Sequence, residues 1–144
     1  MPTRTLFEDE HHAFRDAVRA FVAKELAPDY LQWEQDGIVP REIFTRAGQF
    51  GFLGMAIAEE HGGGGVDDFR FNQILAEEGA LAGVTGAIAG YTLHNDVCVP
   101  YFTEYCTPEQ AARWLPGIAS GELITAIAMT EPGTGSDLAG IAST

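Results

Sequence analysis

Apolar residues recur at helical spacing through most of the first 120 positions. The pattern begins with Phe14, Ala17, Val18, Phe21 and Val22, with Arg15, Asp16, Arg19 and Lys24 on the other side, and Pro28 prevents its continuation. Thr5-Leu6-Phe7-Glu8 has the spacing of a capping box and predicts the start of this first helix. Asp36-Gly37 reads as a turn. Pro40 then opens a helix carrying Ile43, Phe44, Ala47 and Phe50 inward, and Gly51 stops it. Asp67 or Asp68 caps a third helix whose inner face is Phe71, Ile74, Leu75, Glu78 and Leu81. From Gly79 to Leu93 there is no charge, which predicts burial. Thr107-Pro108-Glu109-Gln110 starts a further, short helix ended by Leu115-Pro116, with Gly121 at its exit.

The period changes near the end. Ile124 to Met129 is a short run rich in β-formers that predicts a strand, followed by a turn with one proline and two glycines in four residues. Gly133 and Gly135 can take positive φ or let another molecule lie against bare backbone, and Thr130 and Ser136 flank them with hydroxyls. On this chemistry alone the stretch is either an ordinary glycine turn or a cradle of backbone N–H groups for a flat polar ring and a phosphate. A lone strand cannot satisfy its own backbone. The expectation is therefore a mainly α chain: a helical domain over 1–122, and over 123–144 the first strand and loop of an incomplete β domain.

Composition narrows the partners. Eight Lys plus Arg against 21 Asp plus Glu give a net charge of −13, without a basic cluster, so nucleic acid is excluded as a ligand. Cys98 and Cys106 make neither a metal nor a redox motif, and the start of the chain has neither an apolar signal core nor the acid-poor character of a transit peptide. No stretch is apolar enough for a membrane span, and the expected location is cytoplasmic.

Other chemistry-bearing residues read as structural. His11 and His12 point to different sides of a helix and are expected to be solvated, without a shared metal. The Gly62–Gly65 run lacks the Lys-Ser/Thr of a P-loop and is read as a flexible connection. Glu77 and Glu78 are adjacent on a helix and do not converge as an acid/base pair. His94, Asn95, Asp96 and Cys98 lack a second ligand pair and form a polar helix-end cluster. Ala82, Gly86 and Gly90, four apart, admit close approach of either a neighbouring helix or a ligand chain.

The string Ala128-Met129-Thr130-Glu131-Pro132-Gly133-Thr134-Gly135-Ser136-Asp137 resembles the T-E-P-x-x-G-S-D flavin signature of the acyl-CoA dehydrogenases at every fixed position. The resemblance extends to Leu115-Pro116 with Gly121-Glu122, to Thr107-Pro108-Glu109-Gln110, and to Glu59-Glu60-His61-Gly62-Gly63 with Gly65-Val66-Asp67. It departs at Ile127, often aromatic in the family though familiar from long-chain-type members, at Thr134 where Ala is common, and at Cys106 in place of a helix-terminal glycine.

The resemblance implies a helical N-terminal domain leading into a β-barrel domain, and dehydrogenation of an acyl-CoA thioester to the trans-2-enoyl product. FAD takes the hydride, and an external electron-transfer protein reoxidises it. Backbone groups of Ile127, Ala128 and Met129 with the Thr130 hydroxyl would meet the pyrimidine end of the flavin. Gly135 and Ser136 would lie near its pyrophosphate, and Ser136 also near the substrate. The small residues Gly86 and Gly90 would wall the acyl cavity, and the full-length protein would be a homo-oligomer. The family's catalytic carboxylate lies in its C-terminal part, so no residue here takes that role, Glu131 included, and the chain is expected to be silent alone. The alternative is a non-catalytic helical module that binds a partner through its acidic surface.

Overall fold

The computed structural model describes residues 5–143; Met1–Arg4 and Thr144, which the two domain assignments include, lie outside the described residues. Seven α-helices occur among them: α1 (Asp9–Phe21), α2 (Tyr30–Asp36), α3 (Glu42–Gln49), α4 (Arg70–Leu81), α5 (Thr85–Thr92), α6 (Val99–Tyr105) and α7 (Pro108–Ser120). π-helical turns at Val22–Leu26 and Leu93–Cys98 extend α1 and join α5 to α6. No helix among the described residues is long and apolar enough to cross a membrane.

The apolar faces meet as their period requires. Val18, Phe21, Val22, Ile43, Phe44, Ala47, Ile74, Leu75 and Tyr91 form the main core with Phe52, whose ring meets Phe14 and Phe21 edge-on. A smaller cluster of Ile57, Val99, Leu115, Ile118 and Ala119 lies under α6 and α7. Two glycines let the end of α7 touch α3 backbone to backbone: a Cβ on Gly48 would stand 2.2 Å from the Ser120 carbonyl oxygen, and one on Gly121 2.2 Å from that of Phe44. The chain therefore leaves α7 from a fixed point.

Several expectations are corrected. α1 starts at Asp9, with the capping box made by Glu8 and His11 and not by Thr5. His11 is fully buried, stacked on Phe71 at 4.6 Å and 3.3 Å from Asp68, whereas His12 is exposed as expected. Arg15 and Arg19 do not simply turn outward, since both reach the buried Glu78 carboxylate. Leu81, Phe50 and Ala17 are exposed and not part of the buried core. The Gly62–Gly65 run is tied to Gly54, Met55, Ile57 and Ala58 by backbone hydrogen bonds of 2.8–3.3 Å that extend to Val66, so it is an anchored loop and not a flexible one.

The uncharged segment is divided by Gly83 at φ +75°, which ends α4 before α5 begins. Ala82 is thus off the helix that carries Gly86 and Gly90, and Leu81, Thr85, Ala89 and Leu93 are exposed. α7 does not stop at Pro116: it runs 13 residues, because Ile118 and Ala119 beyond the proline are buried and hold the last turn. Thr107 and Gln110 make the expected capping box, and Gly121 is left-handed at the exit. Cys106 is extended (φ −70°, ψ 141°), so this corner needs no left-handed residue.

Candidate functional site

Beyond Gly121 the exit segment is pinned before it becomes extended. Leu123 N–H donates to the Gly117 carbonyl at 2.8 Å, the Arg41 guanidinium donates to the Glu122 carbonyl, and Ile124 packs on the main core. His94, fully buried in the π turn, meets Thr125: the Thr125 N–H lies 3.3 Å and its hydroxyl 2.9 Å from Nδ1. Residues 124–130 form no strand; the one β-bridge among the described residues is Glu131 with Thr134. The physical reason is the one anticipated for a lone strand, since no partner strand is at hand to complete a ladder.

The extended run nevertheless alternates. Ile127 and Met129 are half-buried, while Ala126, Ala128 and Thr130 are exposed, as a two-residue period requires. Glu131 and Thr134 exchange both backbone bonds at 3.0 Å around Pro132-Gly133. Thr134 is buried, and its hydroxyl donates to the Gly140 carbonyl at 2.8 Å. The Glu131 carboxylate accepts the Ala142 and Ser143 N–H groups at 2.9 Å each. Its bond with the Ser143 side chain, then those backbone donors, hold its pKa below the usual carboxylate value. Glu131 is thus a clasp across the loop.

Of the site residues expected from sequence, Ile127, Ala128, Met129 and Thr130 lie on the extended run, and Gly135 and Ser136 follow the turn. Among the described residues no hydrogen bond engages the backbone N–H groups of these six or the hydroxyls of Thr130 and Ser136. Neither Gly133 nor Gly135 has positive φ, contrary to one possible use of them, but a Cβ on either would meet nothing within 4 Å. The donor set and open backbone suit an anionic, flat ligand approaching from outside, which fits FAD. Gly86 and Gly90 are elsewhere: the Cβ position of Gly86 lies 2.7 Å from the Tyr30 hydroxyl and that of Gly90 3.0 Å from the Phe44 ring. On the side where a Cβ would stand, each glycine is met by one of those side chains, while Gly86 is otherwise exposed.

Two features had no sequence signal. A cleft of about 530 Å³ beside the exit segment is lined by Phe102, Trp114, Ile118, Leu123, Ile124, Thr125 and Ala126. The other is the His94–Thr125 contact, which joins the helical domain to the loop. Asn95, expected in a helix-end cluster, sits with His94 in the π turn between α5 and α6 and bonds Gly54 N–H at 2.9 Å and the Phe52 carbonyl at 2.7 Å.

A seven-helix domain of this order, leading into an extended donor-bearing loop, has clear relatives. A family model for the acyl-CoA dehydrogenase N-terminal domain matches residues 8–122. The chain belongs to the acyl-CoA dehydrogenase family. It is 44% identical over 138 residues to the mitochondrial long-chain specific acyl-CoA dehydrogenase of Mus musculus, covering 96% of this chain and 31% of the relative. A crystal structure of acyl-CoA dehydrogenase from Geobacillus kaustophilus superposes with a TM-score of 0.88 at 46% identity, over 97% of this chain and 36% of that one. A glutaryl-CoA dehydrogenase from Mycobacterium smegmatis in complex with FADH2 gives 0.86 at 27% identity, again over 97% and 36%. The chain spans about a third of the length of these relatives.

Proposed function

We propose that the chain is the N-terminal part of a flavin-dependent acyl-CoA dehydrogenase, with residues 1–122 as the helical domain and 123–144 opening the β domain. The observation that carries this is the set of donors on Ile127–Thr130 and Gly135–Ser136 that no hydrogen bond among the described residues engages, flanking a turn closed by Glu131 and Thr134. In this reading the N–H groups of Ile127, Ala128 and Met129 and the Thr130 hydroxyl hold the pyrimidine end of FAD, and Gly135 and Ser136 hold its pyrophosphate, Ser136 also meeting the substrate. FAD supplies the two-electron acceptor. An acyl-CoA thioester loses a proton from Cα and a hydride from Cβ to give the trans-2-enoyl thioester.

No residue of this chain is assigned as the base, and the chain alone is proposed to be inactive. An external electron-transfer protein and a homo-oligomeric full-length enzyme complete the reading, and the two free cysteines suit a reducing compartment such as the cytoplasm. Gly86 and Gly90 are left out of the acyl cavity, since their Cβ positions face the Tyr30 hydroxyl and the Phe44 ring. The test is FAD retention by the full-length protein on dilution. Replacing Thr130 or Ser136 by Ala removes one hydrogen bond at a desolvated site and should cost about 1–3 kcal/mol of FAD affinity. Retention equal to the parent in both variants refutes the assignment.

A further inference from the structure

The rod from Thr85 to Tyr105 changes from α to π geometry at Leu93–Cys98, and this turn carries adjacent His94 and Asn95 inward together. His94 is wholly inaccessible and takes no part in the proposed chemistry. Its Nε2 lies 3.0 Å from the Ile118 carbonyl oxygen in the last turn of α7. A carbonyl only accepts, so Nε2 carries the proton and Nδ1 is an acceptor. That acceptor faces two donors of one residue, the Thr125 N–H at 3.3 Å and the Thr125 hydroxyl at 2.9 Å. Burial lowers the His94 pKa, consistent with the neutral ring.

Thr125 stands two residues before Ile127. In an extended chain the side on which residue 125 is held decides the side of 127 and 129, and the opposite side for 126, 128 and 130. With Thr125 held inward, Ile127 and Met129 are half-buried and Thr130 is presented outward. A slip of one residue would bury the Thr130 hydroxyl and expose Met129.

We propose that His94 is a positioning residue for the flavin loop: as the Nε2–H tautomer it couples Thr125 to the Ile118 carbonyl and sets the register in which Ile127–Thr130 leave the helical domain. This rests on the reading that the loop holds FAD. Gln in place of His94 can reproduce both bonds, donating its amide N–H to Ile118 and accepting from Thr125 through its oxygen. Phe fills the volume and makes neither.

The experiment measures FAD dissociation and the visible circular dichroism of the flavin in the full-length enzyme, for parent, His94→Phe, His94→Gln and Thr125→Val. His94→Phe should weaken FAD binding on the order of tenfold and alter the flavin dichroism, His94→Gln should restore both, and Thr125→Val should fall between. Parent-like FAD affinity and dichroism in both His94→Phe and Thr125→Val overturn the proposal, even with a lowered melting temperature. Should His94→Phe fail to fold, parent-like values in Thr125→Val overturn it by themselves. A parent that binds no FAD overturns the flavin reading, and this role with it, whereas a parent that binds FAD beside variants that bind it equally removes only the role of His94.

Discussion

Glu78 is 4% exposed and sits between two arginines of α1, with Arg15 Nη1 at 2.5 Å and Arg19 Nε at 2.7 Å. Replacement by Gln keeps the shape, removes the charge and turns one N–H₂ toward a guanidinium. These two charge-assisted bonds, beside a longer one of 3.3 Å from Arg19 Nη2, represent about 3–6 kcal/mol at roughly 1.5–3 each. That sum is an upper bound for two reasons. Arg19 is 56% exposed, so water replaces most of its bond, and such a pair is worth up to about 1 kcal/mol. Arg15 is 12% exposed and keeps Glu77 at 3.0 Å and the Phe7 ring at 4.7 Å. The net expected loss is about 2–4 kcal/mol, with a fall in melting temperature on the order of 10 °C. Urea unfolding followed by far-ultraviolet circular dichroism measures it, with Arg19→Gln as the comparison, expected to lose under about 1 kcal/mol. If Glu78→Gln is as mild as Arg19→Gln, the α1–α4 clamp does not hold the domain and the reasoning fails.

Gly90→Leu places a Cβ 3.0 Å from the Phe44 ring, which is itself edge-on to Tyr91 at 5.2 Å. Overpacking should cost about 1–3 kcal/mol, lowering the melting temperature of the full-length enzyme and kcat/KM alike for short and long acyl-CoA. Unchanged stability with a selective loss of long-chain turnover would show instead that Gly90 borders the acyl chain. For pH, burial places the folded-state pKa of His94 below its unfolded value near 6.5. The unfolded chain then binds the extra proton first, so stability present above about pH 6.5 is lost as pH falls. The drop in urea midpoint between pH 7.5 and 5.5 should be smaller in His94→Gln than in the parent; equal drops contradict it.

Local chemistry was legible without any structure. Thr107 and Gln110 cap α7 as their spacing requires, because a capping box closes within one turn, and Gly37, Gly51 and Gly121 are left-handed where the helices end. The apolar faces of α1 and α3, apart from Ala17 and Phe50, were legible for the same reason, since a 3.6-residue period is a property of the chain itself. The loop that bears the candidate site was marked by its own residues, Thr130 to Asp137, although its strand was not formed, because a strand exists only with a partner.

What the sequence left open is the burial of polar groups, which depends on residues far away along the chain. His11 is internal only because Phe71 and Asp68 meet it, and Arg15 and Arg19 turn inward only because Glu78 arrives on α4. Ala82, Gly86 and Gly90 read as one stripe until Gly83 breaks the helix, and no local rule places Tyr30 and Phe44 against the two glycines. Pro116 ends a helix by propensity but not when Ile118 and Ala119 beyond it are buried. The link from His94 to Thr125 spans 31 positions and arises from a π turn that no period announces. Tertiary packing decided these points, because a buried donor or charge is stable only where its partner stands, and that partner is supplied by the fold.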